Sequence, residues 1–472
     1  MPFSDYINKH HLLPPFIIPS SSNFRKAEFH LNMRPPLLTP LLLSFFFFSS
    51  LSFAIVPPNE TFKFVNEGDF GDFAVEYDGT YRPLSISNSP FQLMFYNTTP
   101  NAYTLALRMA ILRSESAKRW VWEANRGRPV RENATLSLGS DGNLVLAEAD
   151  GTVVWQTNTA NKGVVKLDLL PNGNMVLLDS NGKFVWQSFD SPTDTLLVGQ
   201  SLRLGGVTKL VSRASEKLNV NGPYSFVMER KAVSLYYKSP NSPKPMRYFA
   251  GSSNWFTIQK GTLARVTLRA EVDPGQGFAT ELTLNYEVAG TENGGPILSR
   301  PKYNSTLTFL RLGIDGNLRL FTYNDQVDWS PSEITFTLFD REFNTGNTES
   351  ECQWPERCGQ FGLCEENQCV ACPTEKGLLG WSKTCMAKKV SSCDPKSFHY
   401  YKLEGVDHFL TKFNKGEGLS QKDCEKKCNL DCKCLGYFYQ TKGSLCWVAN
   451  ELKTLIKVDN STHLGFIKTP NK

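Results

Sequence analysis

Asp141-Gly142-Asn143-Leu144-Val145-Leu146 returns thirty-one residues later as Asn172-Gly173-Asn174-Met175-Val176-Leu177. Trp155 stands fourteen positions after Asp141, and Trp186 fourteen after Asn172. The strand ends match as well, Val154-Trp155-Gln156-Thr157 against Val185-Trp186-Gln187-Ser188. A fainter copy, Asp315-Gly316-Asn317-Leu318-Arg319-Leu320, again has a tryptophan, Trp329, fourteen residues after its aspartate. Each unit reads as a turn, an alternating strand, a second turn (Asp150-Gly151, Asn181-Gly182) and a strand ending in Trp. A short internal period marks units that cannot bury a core alone. Trp122, Trp155 and Trp186, spaced 33 and 31 apart, predict three similar sheets around one axis that share a Trp-rich core.

Outward from that stretch, the chain of 472 residues is long enough for two to four domains with real cores. From Ile55 to about Gly199, and again from Ser201 to Asp340, short alternating strands and turn residues dominate, with no run of helical period. The first 54 residues are read apart. Leu37 to Val56 carries no charge, follows Arg34, contains Leu41 to Phe48, and closes on Ser52-Phe53-Ala54. A basic lead, an apolar run and a small-x-small end make a secretory signal peptide over 33–54, with residues 1–32 an upstream extension. Without residues 1–54 the balance is 47 Lys/Arg against 44 Asp/Glu, too weak a surplus to argue for nucleic acid. No later apolar stretch approaches spanning length, so a released chain without a membrane anchor is expected.

Two features fit a secretory route. Asn59, Asn97, Asn133, Asn304 and Asn460 each begin an Asn-x-Ser/Thr glycosylation acceptor. All twelve cysteines lie between Cys352 and Cys446, even in number, as a disulfide framework requires. A zinc site at Cys369-x2-Cys372 is the competing reading, and it suits a reducing compartment better. Spacing alone leaves fifteen pairings open for Cys352, Cys358, Cys364, Cys369, Cys372 and Cys385. Cys424 and Cys428, at i and i+4, share one face of a helix.

Catalytic chemistry is not in view. Beyond residue 54 only His399, His408 and His463 remain, and no phosphate loop, kinase signature or nucleophile elbow is present. The expectation is a non-enzyme with no cofactor and no metal.

Trp120 to Val130, the doublet of turn-and-strand units, and Val185 to Leu197 resemble the bulb-type mannose-binding lectin domain, in the form found in plant S-locus glycoproteins. The resemblance implies a β-prism of three four-stranded sheets. In that family the sugar pocket is Gln-x-Asp-x-Asn-x-Val-x-Tyr. Period-two spacing puts the five side chains on one strand face, where amide and carboxylate grip hydroxyls and apolar groups meet ring carbons. Here the first copy offers Asp141, Asn143 and Val145 but has Gly139 and Ala147 in place of Gln and Tyr. The second offers Asn172, Asn174 and Val176 between Leu170 and Leu178, and the third offers Asp315 and Asn317. These eight residues are the candidate sugar contacts. The competing reading is that Asp-Gly and Asn-Gly survive only as hairpin formers.

The same resemblance extends along the chain. It implies a mostly β protein: a lectin domain over 55–200, a second, diverged lectin-like domain over 201–345, a small disulfide-rich EGF-like segment over 346–390, and an α+β PAN/apple module over 391–472. Family pairing would join Cys352–Cys364, Cys358–Cys369 and Cys372–Cys385, then Cys424–Cys446 and Cys428–Cys434, leaving Cys393 and Cys432 to pair with each other or elsewhere. This order of modules is similar to that of the plant epidermis-specific secreted glycoproteins. It implies an apoplastic or cell-wall protein that binds wall glycans through the lectin fold. Alternatively it implies a soluble partner or decoy of receptor ectodomains, acting through the PAN module.

Overall fold

The computed structural model describes residues 55–471 apart from 110–117, 243, 252–255, 274–276, 302–306, 324–331 and 341–348. The expected leader and extension, Asn304 and Trp329 therefore lie outside the described residues.

Alternation dictates the local structure. In strand Leu144–Ala147, Leu144 and Leu146 are fully buried while Val145 on the other face is half-exposed, so one face of the pleat feeds a core. Leu144 and Leu146 face Leu138 and Leu136 across the antiparallel ladder. This strand belongs to a sheet ordered Phe62–Val65, Thr135–Leu138, Leu144–Ala147, Val153–Gln156. A second sheet runs Thr80–Asn88, Phe91–Asn97, Thr104–Met109, Arg119–Glu123, and a third holds Val164–Leu169, Met175–Asp179 and Phe184–Gln187. The three sheets enclose one apolar core, which makes the first prism.

The third sheet has three strands where four are expected. Thr195–Leu197, which follows it, pairs instead with Thr308–Leu312 far downstream. At the open edge, Asn88 donates its side-chain amide to the Leu169 carbonyl at 2.9 Å.

Three four-stranded sheets form a second prism. One holds Thr195–Leu197, Thr308–Leu312, Leu318–Tyr323 and Ser332–Thr337. The next holds Ser201–Arg203, Thr262–Asp273, Gly277–Val288 and Thr291–Pro301, and the last runs through Lys209–Arg213, Asn221–Met228, Val233–Tyr237 and Met246–Ala250. Its core carries Tyr224, Tyr248, Phe249, Phe256 and Phe339 in the part that tryptophan plays in the first. The prisms are not independent: Phe309, Phe321 and Tyr323 pack into the core of the first.

Buried charge crosses the same junction. Arg126 lies between Glu123 and Asp194, the latter at 2.8 Å, and donates to the Val211 carbonyl at 3.0 Å. Arg311 pairs with Glu76 at 2.6 Å and also donates to the Trp120 carbonyl. Burial alone would raise the Asp194 carboxyl, but Arg126 and Arg311 outweigh it and hold the group below its ordinary range.

All twelve cysteines are bridged: Cys352–Cys364, Cys358–Cys369, Cys372–Cys385, Cys393–Cys432, Cys424–Cys446 and Cys428–Cys434. Helix Gln421–Asn429 starts where the Ser420 hydroxyl accepts the Asp423 amide at 3.2 Å. It buries Cys424 and Cys428 on one face, and their bridges staple it to a five-stranded sheet that includes Gly436–Gln440 and Leu445–Ala449. The Cys-rich segment and the C-terminal unit share a sheet, in which Leu363–Glu365 runs parallel to Leu455–Lys457. Both lean on the second prism. Phe409 and Leu410 enter its core, Lys453 meets Glu356 at 2.7 Å, and the Tyr224 hydroxyl donates to the same Glu356 carboxylate.

Candidate functional site

The repeat positions three indoles first. Trp122, Trp155 and Trp186 meet edge to face, with centroids 6.0, 6.2 and 5.8 Å apart and planes crossed at 73°, 72° and 74°. Each comes from a different sheet, so the fixed spacing in the sequence becomes a pseudo-threefold cluster on the prism axis. Crossed aromatic pairs of this kind add to what burial alone supplies.

The turn asparagines are placed by the same units. Gly142 and Gly173 sit at φ +80° and +84°, and a Cβ at either would lie 2.7 Å from a neighbouring carbon (Val164 or Phe91), so only glycine fits. Asp141 Oδ1 accepts the Asn143 amide at 3.1 Å, closing the turn. Asn143 then reaches across the hairpin. Its Nδ2 donates to Gln156 Oε1 at 2.8 Å, while its Oδ1 accepts from the Thr157 hydroxyl at 3.2 Å and the Thr159 amide at 3.1 Å. The second copy repeats the arrangement. Asn174 donates to Gln187 at 2.9 Å and accepts from the Ser188 hydroxyl at 3.3 Å and the Phe189 amide at 3.2 Å. In the third, Asn317 both donates to and accepts from the Phe339 backbone at 3.3 Å. All three asparagines are buried.

The other candidates scatter. Asp141 and Asn172 are exposed, Val145 is half-buried, and Val176 is wholly buried. Both oxygens of Asp315 are taken by the Arg319 guanidinium at 2.9 and 2.6 Å. Its carbonyl accepts from the Trp354 indole at 2.6 Å, so this copy serves as a seat for the Cys-rich segment. No copy presents an amide and a carboxylate together on an open strand face. The hydrogen-bond partners of Asn143 and Asn174, Gln156 and Gln187, stand in the sequence directly after Trp155 and Trp186, outside the sugar motif.

A larger opening lies in the C-terminal unit. A cavity of about 1090 Å³ is lined by Asp407, Phe413, Asn414, Gln440, Trp447 and His463, among others. His463 Nδ1 stands 2.8 Å from Asp407, Gln440 stands 3.0 Å from Nε2 of the same ring, and Trp447 donates to the Asn414 carbonyl at 2.9 Å. These residues are dispersed in the chain and carry no motif. His399 is half-exposed beside Glu375. His408 is fully buried, with Nε2 against the Glu451 carbonyl at 2.9 Å and Nδ1 accepting the Leu410 amide at 3.2 Å. Burial pulls its pKa down to about 3, so the ring is neutral.

Of the glycosylation acceptors, Asn59, Asn133 and Asn460 are exposed, whereas Asn97 is buried at the end of its strand with Oδ1 accepting from Thr80. Among the described residues no group of three or more His, Cys, Asp or Glu is placed to hold a metal, and no helix is long and apolar enough to cross a membrane.

Residues 119–217 match the family model described as D-mannose binding lectin. The chain is 52% identical to EP1-like glycoprotein 3 of Arabidopsis thaliana over 424 residues, which is 89% of this chain and 94% of that one. It is 59% identical to the epidermis-specific secreted glycoprotein EP1 of Daucus carota over 382 residues, 78% of this chain and 98% of that one. A putative receptor protein kinase of Zea mays, ZmPK1, is 30% identical over 384 residues, which make up 77% of this chain and 43% of the kinase. With the Trp-centred prism, the bridged C-terminal region and identity above one half across nearly the whole of the Arabidopsis thaliana and Daucus carota glycoproteins, the chain belongs to the EP1-like glycoprotein family.

Proposed function

We propose that the chain is a secreted, non-catalytic wall glycoprotein that recognises carbohydrate through the open strand faces of its lectin prisms. In this reading the mature chain is organised as 55–200, 201–345, 346–390 and 391–472, and the turn asparagines serve the scaffold. The observation that carries it is the coexistence of a lectin-type prism with turn asparagines whose side-chain amides already donate to Gln156 and Gln187. A sugar would have to displace a buried hydrogen bond to reach them, which costs more than an exposed face does. The test is a glycan array, together with retention on wall polysaccharide, using the intact secreted protein. Specific retention of a plant glycan is expected, and signal at background across the array contradicts the reading.

A second reading is favoured by the C-terminal cavity. Trp447 and Phe413 beside the His463–Asp407 pair form an amphipathic groove suited to a polypeptide, such as a receptor ectodomain or a wall protein. Loss of receptor-ectodomain binding on Trp447→Ala, with glycan retention unchanged, would favour it over the first.

A further inference from the structure

The strand Gly277–Val288 of the second prism carries a pattern that the repeat does not. Leu282 and Leu284 point into the core, while Glu281, Thr283 and Asn285 alternate onto the other face. That face opens into a cleft of about 320 Å³, lined by Arg269, Glu281, Thr283, Asn285, Glu292 and Gly295, among others. Across the ladder Gly294 stands opposite Asn285 on this face, so no side chain from that position fills the cleft.

Thr283 supplies the second observation. It is only 3% exposed, it lines the cleft, and its hydroxyl has no hydrogen-bond partner. The hydroxyl of Thr267, its neighbour across the ladder, is engaged by Ser201 at 2.8 Å. A buried hydroxyl left in this state is costly in a folded protein and marks a place where a ligand group fits. Around it the charges cancel. Arg265 pairs with Glu292, and Arg269 faces Glu281 across the ladder. A charged ligand gains nothing net from that balance, whereas a neutral polyhydroxylic one finds hydroxyl, amide, carboxylate and guanidinium groups within a single cleft.

We propose that this cleft on the second prism is a binding site for a neutral saccharide of one or two rings, with the Thr283 hydroxyl as its buried anchor. The volume sits at the lower end of the roughly 300–1,000 Å³ span of small-ligand sites, which suits a terminal sugar and not a long stretch of polymer. The site shares no residue with the Asp141, Asn172 and Asp315 turns. It rests on the reading of the chain as a carbohydrate-binding protein.

The test uses the intact secreted protein and an array of neutral mono- to tetrasaccharides of plant wall polysaccharides, followed by calorimetric titration with the strongest binder. Two variants are compared with the unchanged protein. Thr283→Val keeps the shape and removes the unpartnered hydroxyl, so its melting temperature should hold or rise while affinity falls tenfold or more. Asn285→Ala, on the same strand face, removes a side-chain amide from the cleft and should weaken binding tenfold or more with a nearly unchanged melting temperature. If the unchanged protein binds a saccharide and both folded variants bind it equally well, the site is wrong although the general reading stands. If the unchanged protein binds no saccharide, the general reading fails and this site fails with it.

Discussion

Asn143 donates to Gln156 across the mouth of its hairpin at 2.8 Å, and thirty-one residues later Asn174 makes the same bond to Gln187 at 2.9 Å. Those two bonds, and the two donors to each asparagine Oδ1, turn a familiar turn motif into a fastener. Its grip falls on the residues just after Trp155 and Trp186, which fixes where each indole enters the axis of the prism.

Removing the fastener should cost stability. Asn143→Ala leaves the Thr159 amide and the Gln156 and Thr157 side chains short of a partner, for a loss of about 2–3 kcal/mol. Asn174→Ala should behave alike. Urea unfolding should show a lower midpoint at an unchanged slope. A loss below about 0.5 kcal/mol would contradict the role.

The indole cluster should be visible by spectroscopy. Trp122 is 4% exposed and donates to the Ser191 carbonyl at 3.0 Å, so Trp122→Ala should cost about 3–5 kcal/mol. The near-ultraviolet circular dichroism of the edge-to-face indoles should collapse while the far-ultraviolet β signal persists. Retention of the near-ultraviolet bands would place their origin elsewhere.

The junction between the prisms depends on charge that is largely buried. Arg126→Met removes the nearest cation from both Glu123 and Asp194, and breaking a buried pair from one side costs about 3–5 kcal/mol. The effect should fall on overall thermal stability, since Arg126 also holds the Val211 backbone of the second prism.

Acid should loosen the C-terminal unit through His408. Its folded pKa of about 3 lies below the ordinary histidine value of 6.5, so the unfolded chain takes up a proton first as the pH falls. Stability is whole above pH 6.5 and falls by about 1.4 kcal/mol per pH unit on the way down towards pH 3. His408→Gln, which can still donate to Glu451 and accept from Leu410, should flatten that slope. Denaturant melts across pH 7 to 4 measure it, and parallel profiles would contradict the assignment.

Glycan occupancy should follow exposure. Mass spectrometry after enzymatic release should find sugar on Asn59, Asn133 and Asn460, and an unmodified Asn97, which is 8% exposed and accepts a hydrogen bond from Thr80. Full occupancy at Asn97 would contradict its place in the strand.

The parts of the fold that were legible in the sequence are those written as periods. Fourteen-residue and thirty-one-residue spacings locate the Trp cluster, and Cys424 and Cys428 four apart locate one stapled helix face. What could not be read there depends on strands meeting across long separations. The pairing of Thr195–Leu197 with Thr308–Leu312 leaves the third sheet of the first prism one strand short, and no local pattern announces it. The candidate sugar residues meet the same limit. A strand-face motif and a hairpin fastener use the same Asp-Gly-Asn letters, and only the placement of Gln156, Thr157 and Thr159 tells which one is present.

The most direct measurement is a crystal structure of the intact protein soaked in mannose. The Asn143–Gln156 and Asn174–Gln187 bonds should be unbroken, with no sugar touching either asparagine. A mannose hydroxyl within hydrogen-bond distance of the Asn143 or Asn174 amide, with the glutamine displaced, would contradict it.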